Sequence, residues 1–379
     1  MNTVKPSTRV LWLDQLRAIG MFFVVLGHVA LPKQYNMYIY AFHMPLFFMI
    51  SGMTHRVGKY QTLVSCMLDK GKKLLLPYYF MNLVMLPVWI VNFKLLTNAD
   101  PTLVELFQGM LFIHSDQYQT PTNATWFLAS LFIVEVLIYS IERITKNNKE
   151  RMGIRIVLCA FVSYMESING LNYAMPWHID AAFSGIVFYY AGYLFMQYRN
   201  KICDYLKKTK IQYYIVIVLC LAVGWYLSRL NGRVSMNGNV QKSFLYFYGS
   251  AFAFSLAIIL LVMKLPISRF LSYIGRNTII YLGFHIPMIR FIEHNLELRG
   301  GTTEGWIAFT IAVVVYIVMT VVVAYVNNFV PFIVMKPYKE NRKNKLSYAI
   351  AIATVLGYVI VTVLVIGEAI QWGRLKLYR

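Results

Sequence analysis

The chain has 379 residues, 58% of them hydrophobic and 14% charged, with a mean hydropathy of +0.54 and a formal net charge of +20. Water-soluble domains carry about a quarter charged residues, so this composition excludes a soluble globular enzyme and points to a bilayer. The cations fall in short blocks between apolar runs, as in loops on one side of a membrane, and no nucleic-acid partner is expected.

A helix needs about 20 mainly apolar residues to cross the hydrocarbon. Runs near 10–31, 38–54, 74–96, 126–142, 154–170, 178–197, 211–228, 244–264, 273–292, 306–332 and 347–372 meet that need. The predicted fold is therefore all-α, a polytopic helical bundle of about ten or eleven spans. Residues 1–335 are read as the core, and 336–379 as a basic loop followed by an additional C-terminal span. The first run lacks a small-residue cleavage site, so it reads as a span rather than a signal peptide.

Loop charge sets the expected orientation. "THRVGKY…DKGKK", "RITKNNKERMGIR", "YRNKICDYLKKTK" and "KPYKENRKNK" are strongly basic and fall on one side, taken as cytoplasmic together with the N-terminus. The expected location is a bacterial cytoplasmic membrane. The outer loop Thr97 to Thr125 carries Asp100, Glu105 and Asp116 without Lys or Arg, whereas Arg229, Arg233 and Lys242 break the rule in another outer loop. Within the first of these, "ELFQGMLFI" predicts a short helix at the outer surface. Cys66, Cys159, Cys203 and Cys220 lack metal-ligand spacing; free thiols and no metal are expected.

Charges inside the spans carry the functional signal. In "LDQLRAIGMFFVVLGH", Asp14 precedes Arg17 by three residues and can pair with it. His28 follows Arg17 by eleven, so the two share a face roughly 16 Å apart along the axis. Each charge held centrally in lipid costs about 3 kcal/mol, and such residues face polar cavities. His43 in "YAFHMPLFFMISGM", His285 in "IGRNTIIYLGFHIP", and His178 with Asp180 in "PWHIDAAF" approach the depth of His28 from other spans. Trp126 opens the fourth span, Glu135 lies near its middle, and Arg276 stands at the inner mouth. Bland alternatives stay open. Trp126 and Trp177 also fit an interfacial belt, Glu135 fits a helix–helix hydrogen bond, and Pro45 and Gly52 fit simple bending and packing. His55 and His294 are expected to face water; His114 carries no special signal.

An inner cation with an imidazole some three turns outward suits a long anion with a reactive far end, of which acyl-coenzyme A is one. His28 then serves as general base, while His43 or His285 orients it, binds acceptor or holds an oxyanion. A sugar or lipid-linked-sugar transporter is the competing reading, because intramembrane His and Arg also line substrate pathways.

The segment "LDQLRAIGMFFVVLGH" resembles the Arg-x10-His signature of the acyltransferase family 3 membrane proteins, with Arg17 and His28 in the matching places. "AFHMPLFFMISGM", "ATWFLASLF", "WHIDAAFSGIVFYYAGYLF" and "IGRNTIIYLGFH" resemble its later segments in order, from about Leu11 to Asn328. The flavour is closest to the fucose 4-O-acetylase-like branch. The resemblance implies transfer of an acyl group, usually acetyl, from cytoplasmic acyl-CoA to a hydroxyl of a cell-envelope sugar. In it Arg17 steadies the CoA phosphates, with Asp14 and Arg276 nearby, and His28 is the base. His43 and His285 match recurrent polar positions. His178, Asp180, Trp126 and Glu135 are candidate acceptor contacts, and Tyr118, Trp177 and Trp306 could stack on sugar rings.

Overall fold

In the computed structural model, residues 10–96, 102–113, 120–168, 175–206, 210–296, 298, 304–338 and 345–371 are described. They are mainly helical, with an isolated antiparallel bridge between Ser235 and Val240. In order the helices are α1 (Leu11–His28), α2 (Lys33–Met53), α3 (Leu63–Lys70), α4 (Leu76–Leu96), α5 (Leu103–Phe112), α6 (Trp126–Thr145) and α7 (Lys149–Ile168). Then come α8 (Ile179–Leu206), α9 (Lys210–Asn231), α10 (Phe244–Lys264), α11 (Arg269–Gly275), α12 (Thr278–Asn295), α13 (Gly305–Phe329) and α14 (Lys345–Gln371). All eleven predicted runs are helices, and the chain is an all-α polytopic membrane protein.

Seven helical stretches among the described residues are long and apolar enough to cross a membrane. The predicted runs at α1, α2, α7 and α12 fall outside that group, and three of these carry His28, His43 and His285. Their polarity is tolerable because neighbouring helices cover it: α1 buries Asp14 and Gln15 as well as its apolar residues. By contrast α14 buries little of its length, and its exposed Val359, Ile360, Val363 and Leu364 make a lipid-facing surface.

Several predicted boundaries move: α7 begins at Lys149 rather than 154, α8 runs on to Leu206 rather than 197, and the run from 273 divides between α11 and α12 at Arg276 and Asn277. The second span starts at Lys33 rather than 38, because Pro32 precedes a turn that the polar "KQYN" continues without a break. His43 is consequently about three turns inside the helix rather than one. The third span begins earlier too. Thr62 and Ser65 form a capping box that starts α3, and a π-helical turn, Gly71–Leu75, joins α3 to α4. "DKGKK" is thus helical, not loop, with Lys73 bonded to Asp69 at 2.7 Å. The predicted surface helix is α5, capped by Thr102 and Glu105, with Phe107, Leu111 and Phe112 exposed.

Small residues fix the tightest helix crossings. A Cβ on Gly52 of α2 would lie 1.8 Å from the Tyr189 carbonyl oxygen of α8, and one on Gly192 would lie 2.0 Å from the Met49 carbonyl oxygen. The backbones therefore touch at two points a few residues apart. Gly275 does the same at α11, where a Cβ would lie 1.7 Å from the Asp14 carbonyl oxygen.

The loop contacts define two ends. Arg143 donates to the Tyr60 carbonyl at 3.0 Å, Gln15 to the Pro266 carbonyl at 3.0 Å, and Lys336 to Asn277 at 2.5 Å. This is the basic end, with the loops expected to be cytoplasmic. At the far end the Ala30 amide donates to Glu293 at 2.8 Å, and His178 donates to the Asn237 carbonyl at 2.9 Å.

Candidate active site

Three histidines on three helices share one local device. Nδ1 of His28 lies 2.7 Å from the Val24 carbonyl, that of His43 lies 2.7 Å from Ile39, and that of His285 lies 2.8 Å from Tyr281. Each is an i to i−4 bond within the residue's own helix. A carbonyl can only accept, so Nδ1 carries the proton and, in the neutral ring, Nε2 keeps the lone pair. The helix thereby fixes both the tautomer and the ring orientation.

His28 and His285 meet directly. Their ring centroids are 4.9 Å apart at an interplanar angle of 81°, and Nε2 of His285 lies 3.4 Å from Nδ1 of His28. Since His285 holds its own proton on Nδ1, its Nε2 faces the His28 N–H as an acceptor. Tyr40 sits between the α1 and α2 histidines, 4.9 Å from His43 and 6.4 Å from His28 by ring centroids.

His28, His43 and Tyr40 border a cavity of about 280 Å³ at the far end, lined also by Trp126, Arg233 and Arg290, with His285 buried behind His28. His178 lies behind this wall. Its ring centroid is 5.3 Å from that of Trp126, and its bond to Asn237 anchors a second lining residue. Trp177 and His178 both adopt left-handed backbone, φ 62° and 50°, which costs on the order of 1–3 kcal/mol per residue. Asp180 is buried one short step further along α8.

A second cavity, about 200 Å³, opens at the basic end, with His55, Arg56, Lys59, Lys70, Glu135 and Tyr189 in its lining. Glu135 belongs here, not beside the histidines as the sequence reading grouped it. It pairs with Lys70 at 2.5 Å and accepts from Tyr189 at 3.0 Å. His55, expected to face water, instead bridges Glu142 at 2.6 Å and Tyr189 at 2.9 Å. The chain bends back at Thr54, which turns the imidazole under α6 and α8. Tyr60, in the loop, donates to Asp69; burial, then that carboxylate, pushes its hydroxyl above the ordinary tyrosine range and keeps it a donor.

One face of α2 joins the two cavities. Tyr40, His43 and Met44 line the far one and Ser51 and Thr54 the basic one, at helical spacing. Phe47 stands between them on the same face. Its ring lies 3.3 Å from where a Cβ on Gly20 of α1 would be, and 6.0 Å from the Phe127 ring by centroids.

Arg17 bonds Asp14 at 3.0 Å, the pair expected from their spacing, with the Arg17 side chain 26% exposed and that of Asp14 buried. It lies on the basic-end side of Gly20 and does not line the histidine cavity. Arg276 is exposed, its Nε donating to the Ser272 carbonyl at 3.1 Å, and adjoins Gly275, which rests on Asp14. Arg17, Asp14 and Arg276 therefore gather at the basic end. Trp306 is exposed at the start of α13, and His114 and Tyr118 lie outside the described residues. The sequence reading missed Tyr40, Arg290, Lys70 and His55. Arg233 was visible as a charge on the wrong side, which is a signal in itself.

Polytopic helices around a far-end imidazole cavity and a basic-end cationic cavity define a multi-pass membrane protein with a buried polar centre. A family model described as an acyltransferase domain matches residues 10–327. The chain belongs to that family, acyltransferase family 3, and is a membrane acyltransferase. No curated protein and no solved structure matches it. The matched region includes both cavities and stops within α13.

Proposed function

We propose that the protein transfers an acyl group, acetyl in the simplest case, from acyl-CoA at the basic end to a hydroxyl held in the far-end cavity, on a cell-envelope sugar or its precursor. The observation that carries this reading is the His28–His285 pair: an imidazole with its proton fixed on Nδ1, its partner aligned behind that proton, and a cavity beside it.

His28 Nε2 takes the proton of the acceptor hydroxyl as that oxygen forms a bond to the thioester carbonyl carbon. The C–S bond then breaks, and the leaving thiolate takes the proton from the imidazolium. His285 is a positioning residue, because its Nε2 accepts from the His28 N–H and favours the charged ring as it forms. The cavity's side-chain amides hold the developing oxyanion, while His43, its proton held by the Ile39 carbonyl, offers Nε2 as an acceptor to the bound hydroxyl groups. Arg17, set by Asp14, and Arg276 bind the CoA phosphates with the cations around the basic-end cavity. Phe47 marks the level at which the acyl end passes between cavities.

The test is transfer of radiolabelled acetyl from acetyl-CoA by the full chain in lipid nanodiscs, with envelope glycans as acceptors. Acyl consumption that disappears in His28→Ala supports the reading. Two cavities at opposite ends of one helix face also suit a transporter; sugar movement across vesicles without acyl consumption would favour that instead.

A further inference from the structure

The far-end loop after α9 breaks the charge rule that the rest of the chain obeys, and the structure separates its cations. Arg229 lies over the exposed Trp225 ring at 5.2 Å, an arrangement that an interfacial belt explains. Arg233 is different. Its guanidinium lies 4.2 Å from the Tyr40 ring centroid, and both residues line the histidine cavity. Gly232, at φ +75°, turns the chain back from α9. The Asn231 side chain then accepts from the Ser243 amide at 2.8 Å, and Ser235 pairs with Val240, closing the loop over the cavity.

A second guanidinium comes from another element. Arg290 of α12 lines the same cavity. Its nearest carboxylate, Glu293, is 3.8 Å away and already accepts the Ala30 amide at 2.8 Å. Among the described lining residues there is no Asp or Glu. The formal charges at this mouth are therefore two arginines, beside polar Asn123, Ser235 and Asn237. Neutral sugars are held by amides, hydroxyls and aromatic faces. Two guanidinium forks with only a distant, shared carboxylate instead suit an oxyanion.

We infer that the ligand of the histidine cavity is an anionic sugar, carrying a carboxylate or phosphate that Arg233 and Arg290 bind at the cavity mouth while a hydroxyl of the same molecule reaches His28. The identity of that ligand as acyl acceptor rests on the proposed function; its charge does not. The cation over Tyr40 holds Arg233 at the mouth, where its outward N–H groups stay available to the ligand.

The experiment is calorimetric titration of the full chain in phosphatidylcholine nanodiscs, without acyl-CoA, using tetragalacturonate, glucose 1-phosphate and neutral cellotetraose as probes. At least one charged probe is expected to bind about ten-fold or more tighter than cellotetraose, with the gap shrinking as salt is raised. A preference for tetragalacturonate identifies a carboxylate and a preference for glucose 1-phosphate a phosphate. Arg233→Gln and Arg290→Gln should each weaken the charged probe several-fold, with Arg233→Lys retaining part of the affinity. Both arginines are solvent-exposed, so these variants should elute as the parent does in gel filtration. Equal binding of all three probes, or charged-probe affinity unmoved by both Gln variants, would overturn the inference. Arg-dependent binding without acyl transfer to the bound probe would remove only the proposed role of that ligand as acyl acceptor, and Arg-independent transfer to a neutral sugar would remove only this inference.

Discussion

His285 presents Nε2 to the Nδ1 of His28 at 3.4 Å, and both Nδ1 protons also point at carbonyls one turn back along their own helices. The pair therefore has a direction, from the cavity through His28 to His285. Replacing His285 by Phe should keep the volume and lose the acceptor. The expected result is a fall in kcat of about 10- to 100-fold at little-changed acceptor KM, within the span of general-base contributions. His285→Gln, which can still accept, should recover part of the loss. Equal kcat in His285→Phe and the parent would leave His285 a packing residue.

Phe47 stands on the α2 face between the residues that line the two cavities, against Gly20 and near Phe127. Phe47→Ala should widen the passage and relax acyl-length selection, raising the butyryl-to-acetyl rate ratio about five-fold or more on the scale of hydrophobic discrimination by a few methylenes. Competition between the two acyl-CoA donors measures it, and an unchanged ratio would place the passage elsewhere.

Lys70 and Glu135 form an ion pair within the basic-end cavity, with side chains 19% and 8% exposed. Lys70→Ala would strand a largely buried carboxylate, and uncompensated buried charges cost on the order of 3–5 kcal/mol, less where water reaches them. Thermal unfolding should fall clearly for Lys70→Ala and less for the neutral pair Lys70→Met with Glu135→Gln. Acceptor KM should not change in Glu135→Gln, because Glu135 lies outside the histidine cavity. A raised acceptor KM would restore it as an acceptor contact.

Gly52 and Gly192 hold α2 on α8 by backbone contact. Gly192→Val must push the helices apart, and overpacking of this kind costs about 1–3 kcal/mol or more. A lowered melting temperature, with reduced activity because α2 carries His43 and Tyr40, is expected. A parent-like melting curve would mean that the crossing is loose.

Much of this was readable in the sequence because span depth is one-dimensional. His28 and His285 could be set at similar levels by counting residues from the ends of apolar runs, whereas the count for His43 was short because α2 starts before its apolar run. Rotation and neighbour choice are not so encoded. Glu135 was set near the middle of its span with a helix–helix hydrogen bond left open, and α6 turns it toward Lys70 and Tyr189 at the basic end. His55 lay at a span end, and only the return of the chain after Thr54 brings it between Glu142 and Tyr189. Arg17 was placed correctly with Asp14, yet the packing of Phe47 on Gly20, between Arg17 and the histidine end of α1, depends on α1–α2 register. Arg233 read as an exception to a topology rule, because its role depends on a loop folding over α2.

The most direct measurement is single-turnover acyl transfer from acetyl-CoA by His28→Ala in nanodiscs, alongside its CoA affinity and melting temperature. Transfer is expected to fall by about 100-fold or more, with CoA binding and melting unchanged, since His28 lies at the cavity end of α1, away from Arg17. Transfer at the parent rate by a folded His28→Ala protein would contradict the assignment of His28 as the base.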